Sequence, residues 1–203
     1  MESEKNIINE RKISVSGSFS MEGDLVGFSS MEVSGSANIK GNVTAENIEI
    51  AGSLKCQDME FKDAEVSGGA KANKVKGEKL EIMGNMKADK LDVKELEVYG
   101  DLDASEVNAD KVILGKKSSV NGTIICNSLE MKKGSEADVV IAKDVKIGPD
   151  AYVNSLECYT CKVGPDAEVE YLKYTISAEI DPKAEVRHSA KVDRISKDFD
   201  KQS

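Results

Sequence analysis

The sequence predicts an all-β chain wound as a parallel β-helix of triangular cross-section, with about eleven coils of 16–18 residues. Three observations predict it. Consecutive units repeat without gaps, apolar residues recur at a spacing of two inside each unit, and bulky aromatic residues are scarce.

The repeat is clearest in the middle of the chain. IEIAGSLKCQDMEFKD from Ile48, AEVSGGAKANKVKGEK from Ala64, LEIMGNMKADKLDVKE from Leu80 and LEVYGDLDASEVNADK from Leu96 are four consecutive units of 16 residues. Apolar or small residues fall mostly at unit positions 1, 3, 7, 9, 12 and 14. Position 3 reads Ile50, Val66, Ile82 and Val98; position 5 is Gly52, Gly68, Gly84 and Gly100; position 9 is Cys56, Ala72, Ala88 and Ala104. A spacing of two puts side chains on the same side of a strand, so each unit reads as three short strands joined by three corners.

The pattern extends both ways. Upstream lie Ile13 to Gly17 and Met31 to Gly35, and downstream units start near Val112, Leu129, Val145, Cys161 and Ala178. There the position-5 glycine gives way to other turn chemistry, including Gly-Pro-Asp at 148–150 and 164–166. The division is a short tail over 1–12, a β-helix over 13–193 and a second tail over 194–203. A helix would need apolar positions at a period of 3.6, which these pairs do not form. Hairpins would reverse strand direction from one strand to the next, whereas every unit repeats one ordered set of columns, as stacking in a single direction requires.

A narrow prism explains the composition. Of 203 residues, 39% are hydrophobic but only 4% aromatic, with no Trp and one His. Small residues at position 9 opposite larger ones at positions 3 and 12 fill such a core at close packing. The outward columns are charged: position 2 carries Glu32, Glu49, Glu65, Glu81, Glu97 and Glu130, and position 8 carries Lys55, Lys71 and Lys87 before Asp103. Like charges one strand apart repel, so these columns read as a solvated, aggregation-resistant surface rather than as faces for lateral packing.

A net charge of -9 disfavours non-specific binding to nucleic acid or to an anionic membrane. No apolar run approaches a membrane span and the N-terminus carries no signal-like segment, so the chain is expected in the cytoplasm. Four Cys, at 56, 126, 158 and 161, are too sparse for a disulfide framework.

The two bases of the prism are the expected points of assembly. A β-helix exposes unpaired backbone and core at its first and last coils unless a cap covers them. Residues 1–12 offer only Ile7 and Ile8, and 194–203 only Ile195 and Phe199, so no cap is evident. Hiding about 400 Å² of apolar surface at such a junction contributes on the order of 10 kcal/mol before the cost of association. Candidate contact residues are Val15, Phe19 and Met21 in the first coils and Tyr171, Tyr174, Ile176, Ile180 and Val186 in the last.

Val33-Ser34-Gly35-Ser36-Ala37-Asn38-Ile39-Lys40-Gly41-Asn42-Val43-Thr44-Ala45-Glu46 and Val98-Tyr99-Gly100-Asp101-Leu102-Asp103-Ala104 resemble the bactofilins, polymer-forming cytoskeletal proteins. The resemblance covers nearly all of 13–193 through short, degenerate repeats. It implies a right-handed β-helix, in line with the general preference for right-handed crossovers. It further implies nucleotide-independent, non-polar filaments joined head to head and tail to tail, and a scaffold for envelope-associated proteins at the inner face of the cell membrane. The chain departs from the family pattern in its greater number of coils, its minimal tails and its lack of a recognisable targeting segment, so membrane association is left open.

Ile147 to Val153 and Val163 to Val169 resemble hexapeptide-repeat acyltransferases, but those imply coils of three equal sixes, whereas the clearest units here split six, five, five. His188 has no evident base partner or acceptor pocket and reads as an end-coil histidine. Cys158 and Cys161 fall at positions 14 and 1, both inward, and Cys56 is inward too, so the thiols read as small hydrophobes rather than metal ligands. The expectation is a non-enzymatic scaffold that self-assembles through its terminal coils, with no catalytic, metal-binding or cofactor-binding residue, no cofactor and no nucleic-acid partner. An acyltransferase-like enzyme is the first alternative and a β-helical adhesin or phage fibre the second.

Overall fold

The computed structural model describes residues 11–197 and Phe199. Among these residues there is no helix. The strands form one continuous parallel stack wound as a β-solenoid. Ile13, Met31, Ile48, Ala64, Leu80, Leu96, Val112, Leu129, Val145, Cys161 and Ala178 lie one above the next in a single column, which fixes eleven coils.

The register shows why each coil has three sides. Between Asn85–Val98 and Asp101–Leu114, residues 85–88 lie on 101–104, 90–93 on 106–109 and 95–98 on 111–114. Asp89 and Lys94 fall outside the strand ladder between these coils and mark two corners; Tyr99 and Gly100 make the third. The stretch 95–98 is called here the first facet, 85–88 the second and 90–93 the third, with the same names used for their counterparts in other coils. Leu80, Ile82, Met86, Ala88, Leu91 and Val93 all point into the core and all are buried, so the six inward positions of the unit are those the apolar spacing predicts. No buried side-chain nitrogen or oxygen among the described residues lacks a hydrogen-bond partner.

Glycine recurs at the sharp corner because the chain closes onto the coil beneath it. A Cβ on Gly35, Gly52, Gly68, Gly84 or Gly100 would stand 1.9–2.1 Å from the carbonyl oxygen of the corner glycine one coil earlier. Gly17, in the first coil, has open space where the others have a carbonyl.

From Gly115 onward the corner is built differently. The stretches 115–118, 132–135, 148–151 and 164–167 make wider turns, and Lys117, Gly134, Asp150 and Asp166 take positive φ of 58°, 68°, 54° and 56°. Pro149 and Pro165 precede the last two of these residues, where their fixed φ suits such a turn. The residue after each, Ser118, Ser135, Ala151 or Ala167, is buried inside the corner, and the Ser118 and Ser135 hydroxyls donate to Gly115 O at 2.9 Å and Lys132 O at 2.8 Å.

The change of corner corrects one expectation. The columns at positions 7 and 9 do not run unbroken along the rod: Leu102, at position 7, stacks on Val120, at position 9 of its own unit, and the register slips between Asp103 and Glu106. The wider turn moves the second facet along by two residues. Gly122, at φ 112°, absorbs the slack where a Cβ would stand 1.7 Å from Ala104 O.

The acidic column holds without a buried charge. Glu32, Glu49, Glu65, Glu81 and Glu97 stack directly. Hydroxyls two residues further on donate to three of them: Ser34 to Glu32 at 3.3 Å, Ser67 to Glu65 at 2.9 Å and Tyr99 to Glu97 at 2.7 Å. Other cations and carboxylates pair one coil apart, as in Lys87 with Asp103 at 2.6 Å and Lys94 with Glu78 at 2.9 Å.

Candidate interfaces: the open base and the strapped facet

The C-terminal base follows from where the last strand stops. Glu185–Lys191 lies on 168–169 and 171–174, covering the second and third facets. No described strand continues the first facet beyond 177–180. Ile180 stacks on Val163 in an inward column, yet it is 41% exposed because no described strand lies over it. Ala178, Ala184 and Val186 are partly buried against the core around it, while Ser189 and Lys191 stand where the last coil would need apolar residues.

The expected assembly residues do not all reach a base. Val15 is buried at 6% exposure, with Phe19 and Met21 packed partly against the core; the expected tail lies outside the described residues as far as position 10. At the other end Tyr174 and Val186 are half-buried. Tyr171 is outward on the third facet and stacks on His188 one coil on, centroids 5.0 Å apart and planes 13° from parallel. Ile176 sits on a corner where the register slips between Cys158 and Thr160 and is 60% exposed. Ile180 and Val186 are thus placed at the base, whereas Tyr171 and Ile176 face sideways.

All four thiols are free and buried. Burial pushes Cys56 and Cys126 up to about 12. The hydrogen bond to Cys161, together with burial, holds Cys158 above the ordinary thiol range. Among the described residues no group of three or more His, Cys, Asp or Glu could hold a metal ion, and no helix is long and apolar enough to cross a membrane.

The C-terminal segment does something the sequence did not announce. After Val192, whose amide donates to Tyr174 O at 2.9 Å, the chain turns back along the third facet. Ile195 is buried at 8% exposure. The Ser196 amide donates to Glu157 at 2.8 Å and its hydroxyl to the same oxygen. The Phe199 amide donates to the Tyr159 hydroxyl at 3.2 Å, and the two rings meet edge to face at 5.8 Å. Glu157 also accepts from Lys173 at 3.0 Å. Desolvation pushes its carboxyl up, but the Ser196 and Lys173 hydrogen bonds outweigh that and hold it below the usual carboxylate range.

This strap has a footing legible in retrospect. Along the outward column of the third facet, Glu60, Lys76, Asp92 and Asn108 are followed by Ile125 and Ile141, then Glu157. Two apolar residues in a solvent-facing column signal a covering partner. Ile125 lines the same groove as Lys197 and Phe199.

Toward the N-terminus no described segment crosses the same facet. Phe28, Ala45, Phe61 and Gly77 floor a groove of about 560 Å³, rimmed by Glu46, Glu60, Lys62, Lys76, Glu78 and Lys94. Gly77 has no room for a Cβ, which would stand 2.1 Å from the Phe61 ring.

No family model matches the chain, and no curated protein matches it. Among solved structures the chain is similar to the tapirin C-terminal domain of Caldicellulosiruptor hydrothermalis, at 14% identity and a TM-score of 0.31, over 90% of this chain and 57% of that one. The chain thus spans a little over half the length of that neighbour, and the likeness carries no functional argument.

Proposed function

We propose that this protein is a structural scaffold of the bactofilin kind, whose rods join end to end into nucleotide-independent, non-polar filaments. The observation that carries the reading is Ile180: an inward core residue left 41% exposed at the C-terminal base, in the last coils where Ala178, Ala184 and Val186 are only partly buried against the core. A strand edge and an apolar patch at one end of a rod are together what a second rod satisfies, through backbone pairing and burial. A solenoid of stacked repeats suits such a role, since each coil contacts only its neighbours and the stack can be continued by a further coil at its end.

Negative-stain microscopy of the purified protein without nucleotide tests this directly. Filaments are expected with the wild type, and their loss with Ile180→Arg, which places a charge in the junction while leaving the covered coils untouched. Discrete single particles at high protein concentration, or filaments indifferent to Ile180→Arg, would overturn the proposal.

A further inference from the structure

The third facet is divided along its length into a ridge and a groove. The strap raises the stretch over Glu157 and Tyr159, with its tip beside Ile125 and Asn127. The floor from Phe28 through Ala45 and Phe61 to Gly77 is recessed.

Counting coils along the facet places ridge and groove symmetrically. The inward residues Phe28, Ala45, Phe61, Gly77, Val93, Ala109, Cys126, Ala142, Cys158 and Tyr174 follow one another in register. The midpoint falls between Val93 and Ala109. A two-fold axis there, in the plane of contact and across the rod, superposes the ridge of one copy on the groove of the other, and the reverse. Such a contact is isologous and closed.

We infer that two copies pair side by side and antiparallel through this facet, each strap seated in the other's Phe28–Phe61 groove. Electrostatics at the axis supports the pairing. An axis of this kind keeps each outward column opposite itself, so Lys94 of one copy faces Asp110 of the other, twice. Lys94 is well exposed and its ion pair with Glu78 leaves room for a second carboxylate. Away from the axis, the exposed Arg194 and the half-buried Lys197 of each strap meet a rim of balanced charge, with Glu46, Glu60 and Glu78 beside Lys62, Lys76 and Lys94, and the axis sets Lys62 opposite Lys143, so the favourable charge contact is the pair at the axis.

The size of the contact is adequate. A facet roughly 15 Å wide over ten coils at about 4.8 Å gives on the order of 700 Å² per copy, or about 1,400 Å² in total, within the range of specific interfaces. The pair leaves both bases of each rod free, so it is independent of end-to-end joining. It also differs from any packing through the Glu and Lys columns of the other two facets.

Sedimentation velocity in the Ile180→Arg background separates the two kinds of contact. There the protein is expected as a dimer of twice 21.9 kDa at concentrations on the order of 100 µM, well above the micromolar constants such areas commonly give. Lys94→Asp or Asp110→Lys alone sets like charges opposite each other and is expected to weaken the dimer about tenfold or more. The double variant Lys94→Asp/Asp110→Lys is expected to restore it; because residues 94 and 110 are also neighbours one coil apart within a single chain, urea unfolding of the three variants is read alongside, and a dimer loss and rescue that only follow monomer stability overturn the proposal. A monomer throughout that range leaves the groove to a foreign chain and overturns the proposal, as do single variants that dimerise like the parent, or a double variant no better than the singles.

Discussion

The two halves of the rod turn the same corner by different means. Up to Gly100 the chain turns at a residue with no side chain, because the carbonyl of the coil beneath occupies the place of a Cβ. From Gly115 it swings wider, admits Lys, Pro and Asp, and places one residue in the left-handed region at Lys117, Gly134, Asp150 and Asp166. The first solution concentrates its cost in steric intolerance at one atom. The second spreads it into backbone strain of roughly 1 kcal/mol for each non-glycine residue so placed. A solenoid of fixed cross-section thus tolerates either solution, provided the neighbouring facet shifts to match, and Gly122 is where that shift is absorbed.

The sharpest way to break this comparison is to add one methyl group to a glycine corner. Gly84→Ala places its Cβ 2.0 Å from Gly68 O, and backbone at that position has no room to yield within the stack. A loss of about 3 kcal/mol or more is expected, at the upper end of overpacking effects. Gly17→Ala, in the same motif but with nothing within 4 Å, is expected to change stability by less than about 0.5 kcal/mol. Urea unfolding of both variants checks the pair. Equal losses would show that glycine serves chain flexibility at this corner rather than clearance.

The halves also differ in their third facets, crossed by a strap in one and by no described segment in the other, and the strap depends on an ionised Glu157. Its native pKa lies below the ordinary carboxylate value, so its contribution is fully present above the unfolded pKa and is lost as pH falls through the native one. The Ser196 amide resonance is therefore expected to titrate with a midpoint below the usual range near 4.3, and its exchange protection to fade with it. Glu157→Gln is expected to abolish that titration while the amides of the glycine-cornered coils stay unmoved. A Ser196 amide indifferent to acid in the wild type would detach the strap from this carboxylate.

Thiol accessibility gives a smaller signal that spans both halves. Cys56 sits in the glycine-cornered part and Cys126, Cys158 and Cys161 beyond it, all buried, with Cys56 and Cys126 held at about 12. At pH 8 none is expected to react with an aromatic disulfide reagent until the rod unfolds. Fast labelling of Cys158 or Cys161 alone would mark local opening of the last coils.

What the sequence disclosed, and what it withheld, divides along the same physical lines. Side-chain alternation is local, so Leu80, Ile82, Met86, Ala88, Leu91 and Val93 could be read as inward before any coordinates. Register between coils is not local. Leu102 meets Val120 rather than Ser118 because the turn at 115–118 is wider than a glycine corner, and spacing alone cannot measure the width of a turn. Ile195 and Phe199 read as too little for a cap, since the partners of their segment, Glu157 for Ser196 and Tyr159 for Phe199, lie about 40 residues away. Only Ile125 and Ile141, apolar in an outward column, hinted that something lies over that face. Tyr171 and Ile176 were grouped with the end contacts by their place in the chain, but an outward position and a slipped corner turn them to the side.

The smallest expected effect isolates the strain at the wide turns. Asp166 is exposed, follows Pro165 and holds φ 56°. Glycine reaches that conformation without penalty but also widens the unfolded ensemble, so the two effects oppose each other. Relief of about 1 kcal/mol of strain against a somewhat smaller entropic loss leaves Asp166→Gly stabilising by a few tenths of a kcal/mol, up to about 0.5. The same substitution at Asp150 is expected to gain less, because it also removes the ion pair with Lys133 at 2.9 Å. Thermal unfolding of the two single variants resolves the ranking. A clear loss at Asp166 would mean that the aspartate side chain supports the turn, and that the C-terminal half meets its corners through side-chain hydrogen bonding rather than by tolerating strain.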